Sequence, residues 1–538
     1  MPQHFRFAKS GLFEQRIRAR VKILKKSREI HDSGGIAIAP LHVNLFSIAQ
    51  HFSRLPQFRE VYCIAARSRN PFFLPALTLY TLGMQLLDGF FRSPSVEPLF
   101  NDTASVQSIL DFEAALARAQ ARAGIISAPG AAAIAASCRI ELFDLQSLAR
   151  AMPSAGNLAI PLLKQLNAIV GRNSPDALRH VHYGATSQDA LDTGLILQLR
   201  SAVRAIENEI DSIISSLIEL TTVHRKTLLV ARTWLQHALP TTFGYITAGW
   251  LDAFIRHRER LDFLLDDSLA LQFGGAAGTL AALGDRGAQV ATYLAEELAL
   301  PLPRIPWHSQ RERIAETAAT FGILSGTLAK IGRDLALYMQ TEVGELSEPP
   351  STGRGGSSTM PHKQNPVASA AILASTSRVP ALVSTVMSGI SGEYQRSLGA
   401  WQSEWEVVPE IVLLTAGGSH QLASLLPRLT VNVEKMRSNL DLTRGLIYGE
   451  AVSFALSEKL IRASAHKLVE AACRRAQSEQ RHLHAVLSEV ADVTAILNPE
   501  SLASLFEPAN YLGSAEIFID AVLASARASI SKSSTAKG

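Results

Sequence analysis

The segment Gly353–Val367, GRGGSSTMPHKQNPV, places Ser357 and Ser358 behind three glycines and follows them with Pro361, His362, Lys363 and Asn365. Glycine-dense backbone without a helical or alternating period is expected to form a bent loop. Loops that carry hydroxyl, ammonium and amide groups together are places where chemistry is done, although an ordinary surface turn has the same composition. Two further polar stretches interrupt an otherwise apolar chain, HYGATSQDALDT (182–193) and ARTWLQHALPTTFG (231–244). Together they supply hydroxyl, Lys, Arg, Asn and His groups. Walker, HExxH, CxxC and nucleophile-elbow patterns are absent from the sequence, and its histidines lack metal spacing, so neither a metal nor a cofactor is expected.

That inventory suits removal of a proton next to a carboxylate. The aci-carboxylate formed is a dianion and needs fixed donors and cations aimed at it. Lys363, Asn365 and backbone amides could provide them. A serine acts as base only where its surroundings are cationic, dry and rich in donors, conditions that loop closure would supply.

Long helices are expected to position these segments. Leu199, Val203, Ile206, Ile210, Ile213, Leu217 and Leu220 recur at spacings of four and three, the seam of a helix in a bundle. Phe321, Leu324, Leu328, Ile331, Leu335 and Tyr338 repeat the pattern, and residues 368–388 and 407–426 also read as helices. Alternating strand patterns are scarce. The polar stretches fall near predicted helix ends, where a bundle could gather them into one pocket. QFGGAAGTLAALG lacks a preceding strand and a GxGxxG, so its glycines are assigned to close packing, and the RHLH near residue 483 to an exposed helix face. Shorter amphipathic pieces after Asn432 suggest a small helical domain, and the residues after 527 a solvated tail.

Composition bounds the remainder. Of 538 residues 47% are hydrophobic and 19% charged, enough for several cores. The net charge of +4 is small for this length and argues neither for nucleic acid nor for an anionic membrane as the main partner, and no such partner is expected. It conceals an asymmetry: residues 1–83 hold 13 Lys and Arg against 4 Asp and Glu, leaving 39 against 44 for the rest. Cys63, Cys138 and Cys473 are scattered, which fits a reduced compartment, and PFFLPALTLYTLGM is too short for a membrane span.

GSSTMPHKQNP resembles the GSSxxPxKxNP pattern of the fumarase and aspartase superfamily, and the other two polar stretches are similar to its two further shared regions, in the same order. The resemblance extends from about Met84 to near Arg527. It implies an all-α, three-domain fold with a central long-helix bundle: an N-terminal helical domain over 84–192, the bundle over 193–431, a C-terminal helical domain over 432–527 and a tail over 528–538. Residues 1–83 precede it as a basic extension of uncertain structure, expected to be dispensable, with an untranslated segment and a disordered one as the readings left open. It also implies a cytoplasmic homotetramer whose active sites are each assembled from three subunits, with no metal and no cofactor. Within the superfamily LDFEAALARAQA, GNLAIPLLKQL, WHSQRERIAE, RSLGAWQSEW and PANYLGSA resemble the bacterial 3-carboxy-cis,cis-muconate cycloisomerases.

Carried over by that resemblance, Ser357 is the catalytic base and Lys363 its catalytic partner. His182, Thr186, Ser187, Trp234, Gln236, Asn365 and Arg396 bind substrate. Other readings stay open: Thr186 and Ser187 as helix caps, Trp234 as buried core or as the wall of a pocket, and His182 as the orienter of a neighbour. Trp234 stands where fumarases, argininosuccinate lyases and adenylosuccinate lyases carry His after the RT pair, and Gln364 where many relatives carry Arg. The implied activity is reversible lactonisation of a small tricarboxylate, 3-carboxymuconate, to 4-carboxymuconolactone in protocatechuate (β-ketoadipate) catabolism. An adenylosuccinate-type lyase and a catalytically silent binding homologue are the alternatives.

Overall fold

A computed structural model describes residues 87–349, 355–356 and 359–536. The expectation about residues 1–83 and the base at Ser357 therefore lie outside the described residues. The principal elements are α1 (Asp102–Arg122), α2 (Ser187–Val223), β1 (Leu228–Thr233), β2 (Gln236–Thr242), α3 (Phe243–Phe263), α4 (Glu312–Tyr338), β3 (Leu346–Ser347), α5 (Val367–Thr376), α6 (Val379–Ser388), α7 (Ala400–Leu425), β4 (Thr430–Val431), α8 (Val433–Leu440), α9 (Arg462–Glu479) and α10 (Ala515–Ala536).

The long helix α2 is the axis. At about 1.5 Å per residue it runs about 55 Å, and Leu199, Val203, Ile206, Ile210, Ile213 and Leu217 are all 0% exposed along it. Burying each such side chain contributes about 1.5–3 kcal/mol of transfer free energy. The seam packs α2 against α1, α3 and α7, while α4 lies against α5 and α7. This is the helical class expected from the periodicity. The two small sheets are the antiparallel pairs β1–β2 and β3–β4.

Four boundaries differ from the sequence reading. α2 starts at Ser187, so a division at 192/193 would cut a helix. Residues 368–388 form two helices, because Pro380 takes an N-terminal helical position where its missing N–H costs nothing. α7 begins at Ala400 and continues through Pro409.

The fourth correction concerns the C-terminus. The expected solvated tail is helical as far as Ala536, and its helix does not belong with the C-terminal pieces. Val452, Val469, Leu483, Val493 and Leu502 share a separate core cluster, whereas Ile519, Leu523 and Ala526 of α10 join the main core against α3 and α2.

Candidate active site

Thr186 is the N-cap of α2, in extended conformation (φ −126°, ψ 160°). Its N–H donates to Asp189 at 2.9 Å, one half of a capping box, and Ser187 opens the helix. Capping does not consume the threonine: the Arg396 guanidinium donates to its Oγ1 at 3.1 Å and to the Ala276 carbonyl at 3.4 Å. Two expected site residues, 210 positions apart, are thus brought together. Four residues before the cap, His182 sits in the left-handed region (φ 57°), where a non-glycine residue costs about 1–2 kcal/mol. Its Nδ1 meets Glu113 of α1 at 2.6 Å.

Asp189, fully buried, holds this corner. Its carboxylate also accepts from Gln272 Nε2 at 3.1 Å, from the N–H groups of Gly274 and Gly275 at 2.9 Å each, and meets His308 Nε2 at 2.7 Å. The glycines are needed there, since a Cβ on Gly274 would lie 2.7 Å from Pro306 Cβ, and Gly275 has φ +68°. One turn along α2, Asp192 accepts from Arg311 (2.7 and 3.2 Å) and from Trp401 Nε1 (2.9 Å). Arg311 also donates to Glu404 of α7. Burial pushes the Glu404 carboxyl up, against the pull of Arg311. This buried lattice fixes the start of α7, and so the segment bearing Arg396.

Trp234 and Gln236 lie elsewhere. Strands β1 and β2 pair from Leu228↔Thr242 to Thr233↔Gln236, leaving Trp234 and Leu235 as a two-residue turn with φ of 53° and 63°. Such turns demand positive φ at both positions and usually recruit Asn or Gly. Trp234 is 98% exposed and Leu235 72%, which excludes the buried-core reading of Trp234. The hairpin is anchored just below its turn: Arg232, paired with His237, forms two hydrogen bonds to the fully buried Glu345 (2.9 and 2.7 Å), which also accepts from Asn439 of α8.

The third group surrounds the start of α5. Asn365 donates to the Gly355 carbonyl from its backbone (2.9 Å) and from Nδ2 (3.2 Å). Lys363 is exposed, its N–H bonded to the Met360 carbonyl at 3.1 Å. Glu348 accepts from the N–H groups of Ala368 (3.0 Å) and Ser369 (3.1 Å), so one carboxylate ties the chain before the segment to the helix after it and meets the positive end of that helix.

The expected residues therefore form three patches in one chain: His182, Thr186, Ser187 and Arg396; Trp234 and Gln236; Lys363 and Asn365. Among the described residues no group of three or more His, Cys, Asp or Glu could hold a metal ion. Glu113, Asp189, Glu345 and Glu348 escaped the sequence reading. Of these only Asp189 carries a local signal, the T-x-x-D spacing of its capping box.

The lyase family pattern matches residues 92–381, and that of the adenylosuccinate lyase C-terminus matches residues 445–522. The 3-carboxy-cis,cis-muconate cycloisomerase of Pseudomonas aeruginosa is 50% identical over 440 residues, covering 82% of this chain and 96% of that protein. The chain belongs to the lyase family. Within that family the crystal structure of the 3-carboxy-cis,cis-muconate lactonizing enzyme from Pseudomonas putida superposes with a TM-score of 0.78 at 46% identity, over 83% of this chain and 100% of that one. A fumarate lyase from Mesorhizobium sp. BNC1 superposes with a TM-score of 0.74 at 39% identity, over 81% and 98% of the two chains. This lyase-family enzyme thus shares the fumarase and aspartase fold along nearly the whole length of those relatives.

Proposed function

We propose that this enzyme is a 3-carboxy-cis,cis-muconate cycloisomerase acting in protocatechuate catabolism in the cytoplasm. In the forward direction a carboxylate oxygen of the substrate bonds to an alkene carbon, and the alkene electron pair moves to the carbon next to a second carboxylate. The resulting aci-carboxylate dianion is quenched by a proton at that carbon. In reverse, a base takes this proton, the double bond re-forms and the carboxylate leaves.

Ser357 is assigned the proton transfer by its place in the motif. Lys363, with Asn365 beside it, is assigned to the dianion, whose stabilisation by preorganised donors and cations is the largest demand of the reaction. Arg396 is suited to clamp a carboxylate, since a guanidinium can offer two parallel N–H bonds, and Thr186 and Ser187 add hydroxyl donors. Trp234 and Gln236 would wall a planar dienoate.

The observation that carries this reading is Trp234 itself, a projecting indole where amine-releasing relatives have His. A carboxylate leaving group needs no strong acid at that position. The match of residues 445–522 to the adenylosuccinate lyase C-terminus keeps adenylosuccinate cleavage as the second reading. An ultraviolet assay with 3-carboxymuconate and with adenylosuccinate separates the two: turnover of the first alone is expected, and cleavage of adenylosuccinate would overturn the assignment. Ser357→Ala is expected to lower turnover by about 10²–10⁴-fold with the helical circular dichroism unchanged. Near-normal turnover would remove Ser357 from the mechanism.

A homotetramer with sites shared between subunits is part of the same proposal. It would complete each site with residues from neighbouring chains. It would also cover the apolar stretch Val367–Ser391, in whose most apolar part only 33% of the residues are buried within the chain, and which is the one described segment long and apolar enough by composition to cross a membrane. Light scattering tests it.

A further inference from the structure

The buried carboxylate of Glu113 has no part in the roles assigned above. It lies mid-way along α1, 1% exposed, with Oε1 on His182 Nδ1 at 2.6 Å and Oε2 buried without a hydrogen-bond partner. A buried carboxylate with one satisfied oxygen is costly unless a cation neutralises it. The group on it is the imidazole. Two turns further on the same face of α1, the fully buried Gln120 donates from Nε2 to the Tyr183 carbonyl at 2.6 Å. One helix therefore grips adjacent residues of the segment leading to Thr186, and its grip coincides with the left-handed backbone of His182.

We infer that Glu113 is a positioning residue that holds His182 as an imidazolium, with Nδ1 occupied and Nε2–H left to donate to a carboxylate of the substrate. The inference rests on the tricarboxylate reading of the site and goes beyond it. It turns His182 from an orienter into a fixed positive charge in the segment that leads to Thr186, the residue on which Arg396 donates. The His182 side chain keeps 16% exposure, enough for a ligand to reach it. The charged groups facing the ring are Glu113 from α1 and Asp189 from α2. Burial alone pulls the imidazole pKa down, but the charge and hydrogen bond of Glu113, with Asp189 behind them, outweigh it and leave the value raised. A doubly protonated ring donates at both nitrogens, whereas a neutral ring serving Glu113 through Nδ1–H would present Nε2 as an acceptor and repel a carboxylate.

The test is Glu113→Gln, which keeps shape and an acceptor for Nδ1–H but removes the charge. At pH 8 the variant is expected to raise KM for 3-carboxymuconate about tenfold, the worth of one charge-assisted hydrogen bond, with kcat much less affected. The KM values of variant and wild type are expected to converge only as pH falls below the value to which burial depresses the unsupported imidazole, under the usual value of about 6.5, where the ring is protonated without Glu113. A packing role alone would give a loss independent of pH. Equal KM at pH 8, or parallel pH profiles, overturns the inference. If Glu113→Gln does not fold, His182→Asn is the alternative. It should abolish the rise of KM expected in the wild type as the imidazolium loses its proton, and a rise of the same size in the variant overturns the inference. If the wild type turns over no 3-carboxymuconate, the proposed reaction falls, and calorimetry with the tricarboxylate citrate decides instead: weaker binding by Glu113→Gln at pH 8 supports the inference, equal binding overturns it.

Discussion

The corner at the start of α2 and the tip of the β1–β2 hairpin answer opposite demands. At the corner Asp189, Asp192, Arg311 and Glu404 are almost fully buried, and Asp189 alone receives three backbone N–H groups. At the tip Trp234 is 98% exposed on a backbone that L-residues disfavour. The corner gains definition from internal satisfaction, so that Thr186 and Arg396 stand ready within one chain. The tip is held rigidly at its base by Arg232 and Glu345 and meets nothing at its end. A residue fixed at its root and free at its head is suited to serve a site outside its own chain.

The largest break in this comparison is expected at the corner. Arg311→Met strands two buried carboxylates and is expected to cost about 3–5 kcal/mol, the penalty of removing one partner of a buried ion pair. Urea unfolding reads it, and adding Glu404→Gln should restore part of the loss because the two sites share one network. A loss below about 1 kcal/mol would mean that the network is dispensable.

At the tip, Trp234→Ala is expected to change the unfolding free energy of the chain by no more than about 0.5 kcal/mol, as for an exposed side chain, while catalytic efficiency falls at least about tenfold. Normal activity would detach the tip from the site.

A smaller effect sharpens the corner. The His182 pKa is raised in the folded chain by Glu113 and Asp189 acting against burial. Its contribution to stability is therefore complete below the unfolded value, about 6.5, and is lost as pH rises through the folded value. This contribution should make melting temperature decline over that window in the wild type, and Glu113→Gln should remove the decline. The smallest effect is expected from a chain beginning at Met84, with turnover and oligomeric state unchanged; failure to assemble would make residues 1–83 part of the working enzyme.

The helices of the corner were legible because their signal is local: the seam of α2 repeats every three or four residues, and its positions from Leu199 to Leu217 are fully buried, with Leu220 at the end partly so. The hairpin was not legible. LLVARTWLQHALPTT contains no Gly, Asn or Asp at its turn, so the residues that normally announce a two-residue hairpin are missing where Trp234 and Leu235 take their place. Glu113 was hidden for a different reason. An acid inside an alanine-rich helix, two residues after Asp111, reads as an exposed position, and only the approach of His182, 69 residues later, makes it a buried partner.

α10 sets the order in which the chain can finish folding. Arg225, in the turn that follows α2, pairs with Glu516 and Asp520 of α10, and Ile519 and Leu523 close the main core. During synthesis at about 5–20 residues per second, α3 emerges roughly ten to fifty seconds before the helix that covers it. Through that interval the nascent bundle shows a bare apolar flank to the ribosome surface and to chaperones. A stop codon just before Ala515 would leave every catalytic candidate encoded and the bundle permanently unsealed.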